Sequence, residues 1–119
     1  MAIPLNTFKT TTAVVPEGPI IGDSDIIYTV PNGITAIILM AQVANIDSEE
    51  HTVTFSHFDR DESLNTELVK DFPVFPKDAV GLVTGKLIVE ETNRVRASAS
   101  PGSGSNLKLT LSYLESLNG

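Results

Sequence analysis

The strongest hydrophobic pattern in the chain is a long apolar run from Thr35 to Ala44. A shorter run, Ile26 to Val30, precedes it, and the two are separated by Pro31-Asn32-Gly33. Proline fixes the φ that a tight turn requires, and Asn and Gly tolerate left-handed backbone. Apolar residues occupy both alternating sets of positions in the longer run. We therefore expect a central strand that is covered on both sides, by other strands or by a partner subunit.

Further segments are rich in β-branched residues or alternate with a period of two, as strands do. They are Phe8–Val15, His51–Asp59, Glu67–Val74, Leu82–Glu91, Arg94–Ser100 and Leu107–Tyr113. Pro73 predicts an edge or bent strand, and Gly85 predicts a bulge. The pattern predicts an all-β protein, a single antiparallel β-sandwich or jelly roll of about eight strands.

A length of 119 residues fits one domain, with residues 1–119 forming the sandwich. Residues 1–7 contain Pro4 and no periodicity, so we expect an extended N-terminal arm. The arm lacks the basic and long apolar regions of a secretory signal. The chain has no stretch of about 18 apolar residues, so the sequence predicts no membrane span.

The charge balance is acidic, with eight Lys and Arg against fifteen Asp and Glu, and a formal net charge of −7. Nucleic-acid binding depends on clustered basic residues, and here they are scattered along different predicted strands. Examples are Lys86, Arg94, Arg96 and Lys108. We therefore expect neither a nucleic-acid nor a membrane partner. The chain has no cysteine, which excludes disulfides, thiolate chemistry and finger-type zinc sites.

One acidic segment has the alternating spacing of a calcium-binding loop. Its candidate ligands are Asp59, Asp61, Ser63, Asn65 and Glu67. Leu64 stands where such a loop needs glycine, and Lys70 stands where it needs a bidentate glutamate. The sequence therefore favours a solvated acidic hairpin loop, with no metal or cofactor.

Catalysis requires a nucleophile, a base or a metal ligand set brought together in one site. The two histidines, His51 and His57, lie six residues apart on one predicted strand, which places them about 20 Å apart. A hydrolase would need His57 to converge with Asp59 or Asp61 in one pocket. Without such a grouping in the sequence, we expect a protein that is not an enzyme.

Several segments resemble small structural proteins of tailed-phage virions. The first runs Tyr28-Thr-Val-Pro-Asn-Gly-Ile-Thr-Ala-Ile-Ile, followed by Val43-Ala-Asn45 and Thr52-Val-Thr-Phe55. The closing part is similar too, with Gly85-Lys-Leu-Ile-Val, Arg94-Val-Arg-Ala-Ser-Ala-Ser and a terminal Leu-Lys-Leu-Thr-Leu. One departure is Thr92-Asn93, where the family often has Gly-Asp.

The resemblance implies a virion component, made in the cytoplasm of a host bacterium. Because the chain has no heptads and no repeats, we favour a capsid decoration (cement) protein that binds the outer surface of the particle as a symmetric oligomer, such as a trimer. The alternative is a tail, neck or baseplate accessory or fibre module that binds a host receptor or glycan.

The expected partners are other virion proteins, either the major capsid protein or tail and neck proteins. Candidate contact residues are apolar side chains in the arm and around the Pro73–Lys77 segment. They are Ile3, Leu5, Phe72 and Phe75. These segments reach a neighbouring subunit or lie over the domain as lid loops, and the sequence leaves both arrangements open.

Overall fold

The computed structural model describes residues 6–18 and 25–118, and all regular structure in these ranges is β. The strands are β1 (Asn6–Val14), β2 (Ile26–Thr29), β3 (Ile34–Asn45), β4 (His51–Asp59), β5 (Leu64–Val74), β6 (Ala79–Gly81), β7 (Leu87–Val89), β8 (Arg94–Ala99) and β9 (Leu107–Leu117). They form two antiparallel sheets that pack together, so the predicted β-sandwich is confirmed.

The first sheet, called sheet A, has the strand order β1-β9-β3-β6, and β7 also pairs with β3. The second, sheet B, has the order β2-β8-β4-β5. The core lies between them and is built from alternate residues of each strand. Its largest fully buried side chains include Phe55, Ile38, Leu107, Leu109 and Leu111. The period of two in the last strand correctly predicts the inward side of β9.

Strand β3 is central in sheet A, as its apolar sequence predicts, but its two faces differ from the expectation. A β-bulge lies between Ile38 and Met40, so Leu39 is an extra residue. The extra residue shifts the alternation, and the buried positions of β3 become Ala36, Ile38, Ala41 and Val43. Leu39 and Met40 are both exposed. Sheet B covers one face of β3, and no other described strand covers the other.

The predicted strand from Leu82 to Glu91 is wrong in its bounds. The chain instead forms β6 and β7, which pair with β3 on either side of its bulge. Leu82 still donates its backbone N–H to the carbonyl of Ala41 at 2.7 Å, after which the chain loops away from the sheet. Gly85 lies in that loop with φ +76°, so it turns the chain between two strands instead of forming a bulge within one.

The predicted N-terminal arm, residues 1–7, lies only partly within the described residues. Residues 1–5, and with them Ile3 and Leu5, lie outside the described residues. Asn6 and Thr7 already belong to β1 and pair with Ser116 and Glu115 of β9. The arm therefore ends earlier than the sequence pattern indicates.

The Pro31-Asn32-Gly33 turn connects sheet B to sheet A. Ile34 donates its backbone N–H to the Pro31 carbonyl at 3.3 Å, which closes the turn. Gly33 has φ +77°, a backbone region that glycine enters without a steric cost. Its carbonyl accepts a 2.8 Å hydrogen bond from the backbone N–H of Asn118, which fixes the turn to the end of β9.

Candidate interaction surfaces

The outer face of sheet A carries a row of large apolar side chains that crosses the strands. Phe8 of β1 lies opposite Leu114 of β9, which lies opposite Ile37 of β3, which in turn lies opposite Ile88 of β7. Residues that are directly opposite in a sheet project from the same face. We call Phe8, Leu114, Ile37 and Ile88 the apolar row.

The apolar row is open to solvent at both of its ends. Phe8 is 76% exposed and Ile88 is 61% exposed, while Ile37 and Leu114 in the middle are half-buried by their neighbours. The bulge residues Leu39 and Met40 extend the apolar surface along β3, at 39% and 37% exposure. Contiguous exposed apolar side chains of this size mark interaction surfaces in soluble proteins.

The rest of this face is almost uncharged. Its outward strand positions are Asn6, Thr10, Thr12, Val14, Thr35, Met40, Gln42, Ala44, Ala79, Gly81, Lys108, Thr110, Ser112 and Ser116. Among these described positions only Lys108 is charged, and it lies in the last row, opposite Val14 and Ala44. In a chain with a net charge of −7, the described strand positions of this face therefore carry no carboxylate.

The phenylalanines predicted as partner contacts form a second exposed apolar surface. Phe72 lies opposite Val53 near the end of β5 and is 38% exposed, and Phe75 follows the strand at 54% exposure. Phe72 shares the core-facing side of sheet B with Val53, but β5 is an edge strand, so its side chain is incompletely covered. Both rings are therefore only partly covered by the domain.

The backbone of β5 is poorly suited to pair with another chain. Two register shifts interrupt its pairing with β4, Pro73 lacks an N–H, and Asp71 has φ +49°. Such irregularities protect edge strands from pairing with other molecules. The prediction of an edge strand from Pro73 is confirmed, and any contact made here uses side chains.

The outer face of sheet B is polar, in contrast to that of sheet A. A groove of about 530 Å3 runs between the end of β8 and β5. Its lining includes hydroxyl, amide, carboxylate and ammonium groups from Thr52, Thr54, Asn65, Glu67, Lys70 and Ser98. The Oδ1 atom of Asn65 is buried and has no hydrogen-bond partner in the described part of the chain. The groove offers hydrogen bonds but no aromatic ring for stacking on a sugar.

Two of the scattered basic residues, Arg94 and Arg96, lie together in the fold, whereas Lys108 lies away from them. Arg94 and Arg96 of β8 place their guanidinium carbons 5.6 and 5.4 Å from the ring centroid of Phe58, which is cation–π geometry. Lys108 lies on the outer face of the other sheet. These three residues therefore do not form one basic stripe of the kind that binds nucleic acid.

A buried polar cluster links the two sheets at one side of the core. The carboxylate of Glu115, which is 8% exposed, accepts hydrogen bonds from the hydroxyl of Tyr28 and from Nζ of Lys9, the latter at 2.8 Å. The rings of Tyr28 and Tyr113 pack with centroids 4.3 Å apart, and the Tyr113 hydroxyl lies 2.9 Å from Oγ1 of Thr11. Tyr28 belongs to sheet B, whereas the other residues belong to sheet A.

The electrostatics of this cluster favour a charged Glu115. Burial alone would raise the pKa of Glu115, but the hydrogen bonds from Lys9 and Tyr28 outweigh it, and the pKa lies below its usual value. Burial and the hydrogen bond to Glu115 raise the pKa of Tyr28. The hydrogen bond and charge of Glu115 raise the pKa of Lys9. The cluster is an internal connection between sheets, held in one protonation state near neutral pH.

The calcium candidates occupy the hairpin between β4 and β5. Oδ1 of Asp59 accepts hydrogen bonds from the backbone N–H groups of Asp61 and Glu62, at 3.0 and 3.3 Å, so the carboxylate caps the turn. Ser63 has φ +50° in that turn, and Asn65 and Glu67 already lie in β5. Within residues 6–18 and 25–118, no group of three or more His, Cys, Asp and Glu side chains is arranged to hold a metal ion.

The residues considered for hydrolysis do not come together. Asp59 and Asp61 line a cavity of about 400 Å3 between the loops at one end of the sandwich, and His57 is not part of its lining. Nε2 of His51 lies 2.8 Å from Oδ2 of Asp47, and this hydrogen bond lowers the pKa of Asp47. His51 is buried, so its hydrogen bond fixes the loop between β3 and β4.

Comparison with protein-family models, with curated proteins and with solved structures found no match to this chain. In the ranges that the structure describes, no helix is long and apolar enough to cross a membrane.

Proposed function

We propose that the chain is a non-enzymatic structural component of a bacteriophage virion, specifically a capsid decoration protein that binds the outer surface of the particle as a symmetric oligomer. The observation that carries the proposal is the presence of two separate exposed apolar surfaces on one small domain, the apolar row on sheet A and the Phe72–Phe75 surface on sheet B. A subunit that contacts both its own copies and a larger assembly needs two such surfaces.

The chemistry of the cement role is consistent with these surfaces. Each contact between a small subunit and a particle is modest, and an oligomer engages several sites of the lattice at once. The second contact then forms within the same complex, at a high effective concentration, so the overall affinity exceeds that of one site. The sequence resemblance to structural proteins of tailed-phage virions supports the same role.

The experiment that tests the proposal is quantitative mass spectrometry of gradient-purified particles from the phage that encodes this chain. A decoration protein is expected at a copy number comparable with that of the major capsid protein. Absence from intact particles would contradict a virion role. A copy number of only a few per particle would contradict capsid decoration and favour the tail, neck or baseplate alternative.

The groove on sheet B favours one specific form of that alternative, a module that binds a host receptor or glycan. Its hydroxyl, amide and charged groups suit a hydroxylated ligand. A glycan array probed with the purified chain tests this function. Selective binding that is lost in Asn65→Ala would support it, because Asn65 lines the groove.

A further inference from the structure

We infer that the outer face of sheet A is a self-association surface, where two copies of this chain pack face to face about a two-fold axis. The inference goes beyond the proposed function, because it concerns the free chain and does not require a phage particle. Three features of the face carry it: its relief, its charge and its size.

The relief of the face is self-complementary. The apolar row forms a ridge across four strands, and two rows run parallel to it. The first of these rows contains Thr10, Ser112 and Met40, so Met40 is its one large apolar side chain, and the second contains Thr12, Thr110 and Gln42 and has none. A two-fold axis near Ser112 superimposes the apolar row of one copy on the second row of the other. The ridge of each copy then fills the shallow row of its partner, as side chains interdigitate between packed sheets.

The charge of the face favours a second copy as its occupant. The chain as a whole carries a net charge of −7, so two copies repel each other over most of their surfaces. Among the described strand positions of this face, no carboxylate is present and only Lys108 is charged. Face-to-face packing on sheet A therefore buries apolar and hydroxyl groups without bringing carboxylates together.

The size of the face suits a stable dimer. Its longer strands extend roughly 30 Å, and four strand positions about 4.8 Å apart give a projected area on the order of 600 Å2. Side-chain relief makes the accessible area larger than the projected one. A standard specific interface buries about 800 Å2 on each partner, so the outer face of sheet A supplies most of that area.

The test is the mass of the purified chain by light scattering coupled to size exclusion, compared across two matched lysine substitutions. Ile88→Lys places an ammonium in the apolar row, whereas Leu64→Lys makes the same kind of change at a residue of sheet B with similar exposure, 57% against 61%. Neither side chain lies in the core, and circular dichroism checks that both variants fold. We expect the wild type and Leu64→Lys to be dimers of the 12.7 kDa chain. Ile88→Lys should halve the mass, with a dissociation constant raised at least about tenfold.

Cross-linking supplies a second measurement that does not depend on those variants. The natural chain has no cysteine, so Ser112→Cys introduces a unique thiol beside the proposed axis. Packed sheets lie about 10 Å apart, so a bismaleimide of that span should join two copies of Ser112→Cys. Leu64→Cys is the matched control and should remain uncoupled. A monomeric wild type, an odd number of subunits, an unchanged mass in Ile88→Lys or equal cross-linking of both cysteine variants would overturn the inference.

Discussion

The hydrogen bonds of Glu115 give the sharpest stability prediction, because they connect the two sheets through one buried carboxylate. The perturbation is Glu115→Gln, which keeps the size of the side chain and removes its charge. Tyr28 and Lys9 would then face a neutral amide in place of a carboxylate. One of these two donors can still donate a hydrogen bond to the amide oxygen. The other faces the amide NH2 group, which is itself a donor and cannot accept a hydrogen bond.

The magnitude follows from the two bonds. A hydrogen bond to a charged group contributes about 1.5–3 kcal/mol, against about 0.5–1.5 kcal/mol for a neutral pair. Losing about 1 kcal/mol at each bond gives about 2 kcal/mol. The side chain of Lys9 is 49% exposed, so solvent screens its part and the expected loss is about 1–2 kcal/mol. For a domain of this size that corresponds to a melting temperature lower by about 4–8 °C.

The pH dependence provides the internal check. The folded-state pKa of Glu115 lies below its usual value of 4.5, so the folded chain binds this proton less readily than the unfolded chain. The contribution of Glu115 is therefore present above pH 4.5 and is lost as the pH falls through the lower folded-state pKa. At pH 7 the variant should be less stable than the wild type, and below the folded-state pKa the difference should shrink, because the protonated carboxyl also lacks a charge.

The assay is urea denaturation at fixed protein concentration, followed by tyrosine fluorescence, at pH 7 and at about pH 3. Both tyrosines of the chain, Tyr28 and Tyr113, lie in the cluster, and the chain has no tryptophan. Glu62→Gln, at an exposed position in the β4–β5 turn, is the matched control and should change the free energy of unfolding by less than about 0.5 kcal/mol. Equal stability of Glu115→Gln and the wild type at pH 7, or a difference of the same size at both pH values, would show that the charge of Glu115 does not stabilise the fold.

Three further predictions concern the turn, the core and the second apolar surface. Gly33→Ala should cost about 1–2 kcal/mol in denaturant unfolding, since alanine is strained at φ +77° although its methyl group would have space; no loss would contradict the left-handed turn. Phe55→Ala should cost about 3–5 kcal/mol, because this side chain is fully buried between the sheets; a cost below about 1 kcal/mol would contradict that burial. Replacing both Phe72 and Phe75 with Ser should leave the melting temperature within a few degrees and the solution mass unchanged, yet reduce binding to particles that lack the chain; undiminished binding would exclude this surface from docking.

The fold could be predicted from the sequence where the hydrophobic alternation is unbroken. Leu107, Leu109 and Leu111 alternate with polar residues, and all three are buried as that pattern requires. Strict alternation does not hold along β3, because a bulge at Leu39 interrupts it and no glycine or proline in the sequence signals that bulge. A one-residue insertion moves every later side chain to the opposite face.

The apolar row could not be predicted, because it depends on pairing between distant parts of the chain. Phe8 and Leu114 become neighbours only once β1 pairs with β9, and Ile88 joins them only through β3. Each residue alone fits an ordinary strand. The exposed Phe72 and Phe75 were accessible to sequence reasoning, because the prolines beside them indicate an edge where large rings are incompletely covered.

The two-sided apolar character of β3 has a physical explanation in this arrangement. One face, with Ala36 and Ile38, is buried against sheet B, and the other, with Ile37 and Met40, lies on the open face of sheet A. The sequence expectation left two sources of cover for such a strand, other strands or a partner subunit. On one face of β3, the described strands of sheet B supply this cover. On the other face, the proposed second copy supplies it.

Cryo-electron microscopy of intact particles tests the virion role most directly. For a capsid decoration protein we expect sandwich density of about 48 × 27 × 24 Å per subunit on the outer capsid surface, repeated with the lattice symmetry. Neighbouring copies should meet through sheet A, with the Phe72–Phe75 surface toward the major capsid protein. Density confined to the tail, or particles whose outer surface holds no such subunit, would contradict the proposed capsid decoration role.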